Sequence, residues 1–562
     1  MTELSDLRPQ YRPQVDPADL VAAVGGNLRP GLRELDEKIS GVTLDSKDVQ
    51  SGDLFVAVPG FKRHGAEFAA AAVEAGAVAV ATDARGLEVI GDQFPNIYLI
   101  EVEDPRAWAG LAAAHVWANP GDELTMVGIT GTNGKTTTTH FVHHALTQLS
   151  GPTMMIGTVG VTLGDTHVES ARTSVEAPLL HRILKWARER GAKNVVMEVS
   201  SHALSLNRVE GVTFDMVAFL NLQRDHLDFH KTMREYFDAK ALLFEPGLAR
   251  RGVVCIDDEW GRQLSQQAPI PIEVVTTSGR LALENENNNA HAGWYVAASE
   301  LNETDAGTDL KVGAPSGEVD MHCPLPGVIN VQNQMTALAV VTGLGYAPQK
   351  VADALSTTAQ VPGRMEVIAK RDDDTPLVIV DFAHTPDAMS SACNALDPVT
   401  PGRLWCLFGA TGDRDRGKRP LMAKAAAANA DIVILTDDDI YTEDPAAIRA
   451  EVATGFGEAN MRARQLWEDD DRANAIRAAV LAASADDTIL IAGRGHETIQ
   501  MIGDTPHPLD DRAEAREAVA MRADARKIDV TVWDSPQGQA PRLRNRAQTW
   551  EDLDYHDTTT SR

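Results

Sequence analysis

The stretch Leu124-Thr125-Met126-Val127-Gly128-Ile129-Thr130-Gly131-Thr132-Asn133-Gly134-Lys135-Thr136-Thr137-Thr138-Thr139-His140-Phe141-Val142 decides the fold. An apolar run ends at Thr130, a glycine-punctuated loop follows, and a helical pattern opens at Lys135. Strand, glycine loop and helix are the setting a phosphate-binding loop needs. The glycines let backbone N–H groups turn inward toward phosphate oxygens. Lys135 reaches the β/γ-phosphates, the Thr136 hydroxyl suits Mg²⁺, and the helix adds its N-terminal dipole. One position departs from G-x-x-x-x-G-K-[ST]: Ile129 stands where the first glycine falls.

Working outward, apolar runs recur at NVVMEVS and FDMVAFLNL, as expected for a parallel sheet covered on both faces. Upstream, GDLFVAV, AVAVATD and IYLIEV alternate with alanine-rich helical runs. Downstream of Val361-Pro362-Gly363 the series TPLVIVDFA, RLWCLFGA, DIVILTDD and DTILIAG repeats the βαβ pattern. The reading is an α/β chain of three domains: 18–120, a central phosphate-loop domain with a parallel sheet over 121–361, and a Rossmann-like domain over 362–527. Residues 1–17 read as a loose arm, 284–310 as a surface hairpin or flexible excursion, and 528–562 as a poorly ordered tail.

The 562 residues carry 52 Lys and Arg against 81 Asp and Glu, a formal net charge of −29. Such a body disfavours non-specific contact with nucleic acid or anionic lipid, but a local pocket can oppose the global sign. Cys255, Cys323, Cys393 and Cys406 form no C-x-x-C pair and read as free thiols in a reducing compartment. With no secretory h-region and no bilayer-length apolar run, the expectation is a cytoplasmic protein without a membrane partner, acting as a monomer.

Four further clusters carry chemistry. Glu198 closes a strand and suits Mg²⁺ as a hard oxygen ligand. His226 lies in Asn221-Leu222-Gln223-Arg224-Asp225-His226-Leu227-Asp228, where a metal site competes with helix capping. Met233, Phe237, Lys240 and Phe244 share one helical face, so Lys240 sits in an apolar stripe. Such a lysine either snorkels or has its pKa lowered by burial. Arg364 and Arg414 open basic islands in the third domain.

Taken in order, these motifs resemble the Mur ligases, the amino-acid-adding enzymes of peptidoglycan precursor synthesis, over most of residues 40–525. Within that family they are most similar to the MurE branch, which adds the third residue to UDP-MurNAc-L-Ala-D-Glu. The resemblance implies an ATP-dependent amide ligase working through an acyl phosphate. It implies a nucleotide-sugar first domain, an ATPase middle domain and an amino-acid-binding third domain. ATP would be held by Gly131, Thr132, Asn133, Gly134, Lys135, Thr136 and Thr137, with Asn333, Arg364 and His384. The UDP-sugar peptide would meet Ser46, Thr173, Ser174, Ser200 and Arg208. Mg²⁺ would be held by Thr136, Glu198, His226 and a CO₂-derived carbamate on Lys240. Lys135, Lys240, His226 and Arg364 would be catalytic.

The incoming diamino acid would meet Arg414 of Gly412-Asp413-Arg414-Asp415-Arg416-Gly417-Lys418-Arg419-Pro420, together with Asp438, Asp439, Gly493 and Glu497. The chain departs from the family pattern in three places: Val175 replaces a proline and Leu206 a glutamine among the sugar-peptide contacts, and Asp438-Asp439-Ile440-Tyr441 stands where diaminopimelate-adding members carry D-N-P-R. Without that arginine, and with Asp439 expected to repel a second carboxylate, L-lysine or ornithine is favoured over meso-diaminopimelate. Two rivals stand beside this reading: a folylpolyglutamate synthase, which lacks the GDRDxGKRP and GxGHE pair, and a silent nucleotide-sugar-binding protein of the same fold.

Overall fold

The computed structural model describes residues 3–29, 36–60, 62–170, 172–286, 293–304, 307–456, 461–522 and 533–534. Three sheets follow one another along the chain. The first runs β1 (Asn27–Leu28), β5 (Tyr98–Glu101), β4 (Ala79–Thr82), β3 (Asp53–Val56), β2 (Gly41–Thr43), parallel but for β1. The helix Pro105–Val116 packs Trp108, Ala112 and Val116 on one face, and Ala69, Leu87 and Ile90 cover the other.

The central sheet has seven parallel strands in the order β14 (Gly293–Tyr295), β13 (Ile272–Thr276), β12 (Gly252–Cys255), β11 (Met216–Phe219), β6 (Thr125–Thr130), β10 (Asn194–Glu198), β7 (Thr153–Gly157). Antiparallel strands extend both edges: β8 (Gly160–Leu163) and β9 (Thr166–Val168) beyond β7, and β15 (Asn302–Thr304), β16 (Gly307–Ala314) and β17 (Gly317–Cys323) beyond β14. The helices Lys135–Ser150 and Val328–Gly343 share an apolar cluster on one face, and Ala177–Glu189 covers the other. Leu180, Ile183 and Leu184 of that last helix are fully buried, each contributing roughly 1.5–3 kcal/mol. The chain leaves β6 toward β7 on one side and later reaches β11 on the other. The carboxyl end of β6 is therefore a topological switch point, where a crevice opens.

The third sheet orders β18 (Glu366–Ala369), β19 (Leu377–Asp381), β23 (Thr488–Ala492), β20 (Leu404–Phe408), β21 (Ile432–Leu435), β22 (Gln465–Glu468) and β26 (Trp533–Asp534), parallel from β19 to β22. A hairpin, β24 (Ile499–Ile502) with β25 (Thr505–Pro508), follows β23.

Two expectations need correction. Residues 3–15 are seated rather than loose: Leu7 is 2% exposed within the central domain's core, and Val15 bridges to Ile39. The stretch 284–310 is not a free excursion: β15 pairs antiparallel with β16, as the hairpin alternative expected, and β14 lies in the parallel sheet with Trp294 buried and its indole N–H donating to Glu273 at 2.7 Å. Within it, 287–292 and 305–306 lie outside the described residues, as do 528–532 and 535–562 of the expected tail. Among the described residues, no helix is long and apolar enough to cross a membrane. All four cysteines are free and buried.

Candidate active site

The phosphate loop spans the end of β6 and the start of the helix Lys135–Ser150. Gly134 has φ +85°, and a Cβ there would lie 2.3 Å from Asn333 Oδ1, so only glycine fits. Asn333, 2% exposed on the helix Val328–Gly343, thus rests against the loop with its amide oxygen unpartnered among the described residues. The loop is braced from the strand beyond: Asn133 N–H donates to Asn221 Oδ1 at 2.9 Å and Thr132 N–H to Asn221 O at 3.0 Å. Lys135 Nζ folds back onto the carbonyls of Gly131 and Thr132 at 3.0 and 2.8 Å. Burial lowers its pKa, against the pull of Glu198 and Asp225.

Thr136 is the meeting point. Its hydroxyl donates to Glu198 Oε1 at 3.0 Å and accepts from Arg364 Nη2 at 3.2 Å. Arg364 arrives from the third domain, its guanidinium 4.3 Å from the Phe382 ring centre. Glu198, 1% exposed at the end of β10, also accepts from Thr158 N–H at 2.8 Å and the Thr158 hydroxyl at 3.2 Å. Carboxylate and hydroxyl oxygens converging in a buried crevice fit a hard divalent cation.

Lys240 lies in the helix Met233–Ala241, 1% exposed, donating to Gly131 O at 2.8 Å. Burial and the nearby charge of Lys135 hold its pKa well below the ordinary lysine value, which favours a neutral amine. Tyr236, four residues earlier on the same face, carries Lys240 over its ring at 4.7 Å and shares a 3.2 Å hydrogen bond with Thr132. Sequence reading missed Tyr236, although its i,i+4 spacing to Lys240 was available. His226 has left-handed backbone (φ 53°) and stands 3.4 Å from Asp225. Burial, with Lys135, His202 and Lys240, pushes its pKa down to about 4, against Asp225. Thr137 is buried behind the loop. His384 shares a 2.8 Å hydrogen bond with the Phe382 carbonyl, and burial lowers its pKa.

A second cavity, about 780 Å³, opens between the first and central domains and is lined by Ser46, Lys47, Arg63, Arg106, Arg172 and Arg182 against Asp45, Asp48 and Glu176. Its charged lining is net positive on a chain of net −29. Glu176 gathers Arg106 at 2.8 Å, Arg208 at 3.1 Å and Arg172. Arg208 is thus already engaged. Ser174, 1% exposed, spends its hydroxyl on Glu198 O at 2.9 Å and accepts from Ser200 N–H at 3.2 Å. Ser200 caps the helix Ser201–Ser205 by accepting from Ala203 N–H, so of the expected hydroxyls Ser174 faces inward and Ser200 serves the backbone. Thr173 is half-buried, accepting from Thr158 at 3.3 Å.

The third cluster corrects the sequence reading. Asp439 does not stand free to repel a carboxylate: Arg494, fully buried, donates to it at 2.7 Å and to Asp438 at 3.2 Å. Met501 N–H adds a 2.9 Å bond to Asp439, locking the β24–β25 hairpin against this pair. Asp438, 4% exposed, is likewise spent, and a Cβ on Gly493 would fall 3.2 Å from it. Arg414 is exposed, 5.9 Å from the Tyr441 ring centre. Burial, with Asp438, raises the Glu497 pKa to about 8.

The profile of the Mur ligase middle domain matches residues 129–341, that of the glutamate ligase domain 363–495, and that of the family's catalytic domain 38–115. The chain belongs to the Mur ligase family. It is 39% identical over 510 residues to a UDP-N-acetylmuramoyl-L-alanyl-D-glutamate–2,6-diaminopimelate ligase of Streptomyces avermitilis, covering 90% of this chain and 98% of that one. The Corynebacterium glutamicum protein of the same name is 40% identical over 529 residues, covering 92% and 99%. A solved structure of a ligase with that name is 31% identical with a TM-score of 0.60, over 86% of this chain and 96% of the other. The relatives are thus of the MurE type, as the motifs implied. Their named amino acid is diaminopimelate, not the lysine or ornithine favoured from Tyr441 and Asp439.

Proposed function

We propose that this Mur ligase joins a diamino acid to the D-Glu side-chain carboxylate of UDP-MurNAc-L-Ala-D-Glu at the expense of ATP, and that the diamino acid is meso-diaminopimelate. The observation that carries the reaction type is the convergence on Thr136, where Glu198 of the central domain and Arg364 of the third meet at a phosphate loop.

The γ-phosphoryl group passes from ATP to the carboxylate. Lys135 leaves the loop carbonyls for the phosphates, and with Arg364 it neutralises charge developing in the transition state. The acyl phosphate is attacked by the α-amine of the diamino acid, forming the amide and releasing phosphate. Thr136, Glu198, His226 and a carbamate on Lys240 would hold Mg²⁺, which neutralises phosphate charge. The low pKa of Lys240 supports the carbamate, since a neutral amine is the form that adds CO₂. A low His226 pKa leaves the imidazole neutral and able to bind a metal. The net-positive cavity suits the diphosphate of the nucleotide sugar, with Ser46 in its wall and Arg208 reaching that wall through its pairing with Glu176. Arg414 would take the α-carboxylate, and Glu497 the distal ammonium.

Meso-diaminopimelate is supported by the relatives, and by the Arg494 pairing that removes the repulsion expected of Asp439. Tyr441 favours the second reading, L-lysine or ornithine, because no guanidinium stands at that position. Purified protein with nucleotide dipeptide, ATP and Mg²⁺ is offered each amino acid in turn. ADP release and a tripeptide product are expected with diaminopimelate foremost. Turnover with lysine or ornithine alone would select the second reading, and none with any of the three would sink both.

A further inference from the structure

The N-terminal segment is seated at three points of different chemistry, two on the central domain and one on the first. Leu7 is buried in the same apolar cluster as Val175, Leu180 and Ile183. The N–H groups of Gln10 and Tyr11 both donate to the Glu189 carboxylate, at 2.6 and 2.9 Å, at the end of the helix Ala177–Glu189. Between them, Arg8 Nη2 donates to Asp48 Oδ1 at 2.6 Å and to Asp48 O at 3.0 Å.

Asp48 belongs to the first domain, two residues beyond Ser46. Its other carboxylate oxygen accepts from Arg182 of the central domain at 2.7 Å, so one carboxylate is clamped by two guanidiniums from separate parts of the chain. The loop it ends is a tight turn, with Lys47 N–H on Asp45 Oδ1 at 2.9 Å and Asp48 N–H on Asp45 O at 3.0 Å. A displacement of Asp48 is therefore passed to Ser46. Leu4 and Ser5, just before the clamp, form part of the wall of the 780 Å³ cavity that Ser46 also lines.

We infer that Arg8 is a positioning residue for the nucleotide-sugar substrate: the segment 4–11 straps the two domains together and, through Asp48, holds the Ser46 loop against the cavity. This rests on the reading of that cavity as the nucleotide-sugar site. The strap acts on binding and not on phosphoryl transfer, because none of its contacts reaches the phosphate loop. A charge-assisted hydrogen bond to a partly buried carboxylate sets the scale of its effect.

The test uses the full-length enzyme and its Arg8→Ala and Arg8→Lys variants, with a deletion of residues 2–11 as the third. Arg8→Ala is expected to raise KM for UDP-MurNAc-L-Ala-D-Glu about tenfold, leaving kcat and KM for ATP within about twofold. Arg8→Lys, keeping a cation, is expected to recover most of the loss, and the deletion to exceed Arg8→Ala. Circular dichroism and calorimetric ATP binding show whether each variant is folded. If the deletion does not fold, the Ala and Lys pair decides. Unchanged KM for the nucleotide sugar in folded Arg8→Ala, or an equal rise in KM for ATP, overturns the inference. Wild-type protein that binds no UDP-sugar by calorimetry instead overturns the reading of the cavity, and the strap with it.

Discussion

The phosphate loop and the Arg494 cluster both concentrate charge, yet they use it in opposite ways. At the loop, Lys135 and Arg364 are held by neutral partners, the carbonyls of Gly131 and Thr132 and the Thr136 hydroxyl. Their charge stays available for an arriving anion. At the other end, Arg494 is wedged between Asp438 and Asp439, and its charge is cancelled within the protein. A cation kept on neutral partners is ready to bind; a cation kept on carboxylates fixes architecture. The difference explains why residues in a binding motif do not all bind.

Removing Arg494 should break the second arrangement most severely. Arg494→Met strips Asp439 of its ion-pair partner and leaves buried Asp438 with Arg472 as its remaining cation, at a cost of about 3 kcal/mol. Chemical denaturation should report that loss in the third domain, and the β24–β25 hairpin, tied through Arg494 to the Ile499 carbonyl, should lose protection from hydrogen exchange. Asp439→Asn combined with Arg494→Lys keeps a cation beside Asp438 and should lose far less. Equal losses in the two proteins would show that the pairing is not what holds this region.

Lys135→Ala probes the contrasting end. We expect kcat to fall roughly 10²–10³-fold, on the scale of losing one preorganised donor to developing charge, some 2.7–4 kcal/mol. The fold should be spared, because among the described residues Lys135 is hydrogen-bonded to carbonyls of its own loop alone, and nucleotide-sugar binding measured by calorimetry should persist. A variant that loses stability instead would place Lys135 among the architectural cations.

The two ends were also unequally legible. A phosphate loop is a local object: strand, glycines, lysine and helix are contiguous, so Thr130 to Thr137 announced itself. Lys240 was readable because an apolar helical stripe makes a lysine conspicuous. The parallel sheets followed from continuous apolar runs. Pairings between distant segments were not readable. Nothing near Asp439 signals that Arg494, 55 positions away, neutralises it, and the expected repulsion failed for that reason. Ser174 looked like a substrate hydroxyl, yet only tertiary packing turns it onto the Glu198 carbonyl. The polar, proline-bearing start of the chain suggested a loose arm, whereas the carboxylates that seat it, Asp48 and Glu189, lie far along the sequence.

Glu497 sharpens the contrast, since there a proton occupies the place of a partner. Burial and the neighbouring Asp438 raise its pKa to about 8, with Arg494 pulling the other way from 3.9 Å. At neutral pH the free enzyme therefore holds it mostly protonated. A distal ammonium pairs with the carboxylate and not with the acid, so binding must release that proton. The complex carries fewer protons than free enzyme plus ligand, and linkage then requires affinity to rise with pH until the carboxyl is already ionised. KM for the diamino acid should fall about tenfold between pH 7 and 9 and level off above that. Ionisation of the attacking α-amine enters kcat, so KM is the quantity to follow. In Glu497→Gln the profile should be flat, with KM at pH 9 above the wild-type value. A wild-type KM independent of pH over this range would mean that the distal amine is met elsewhere, and that Glu497, like Asp438 and Asp439, belongs to the architecture around Arg494.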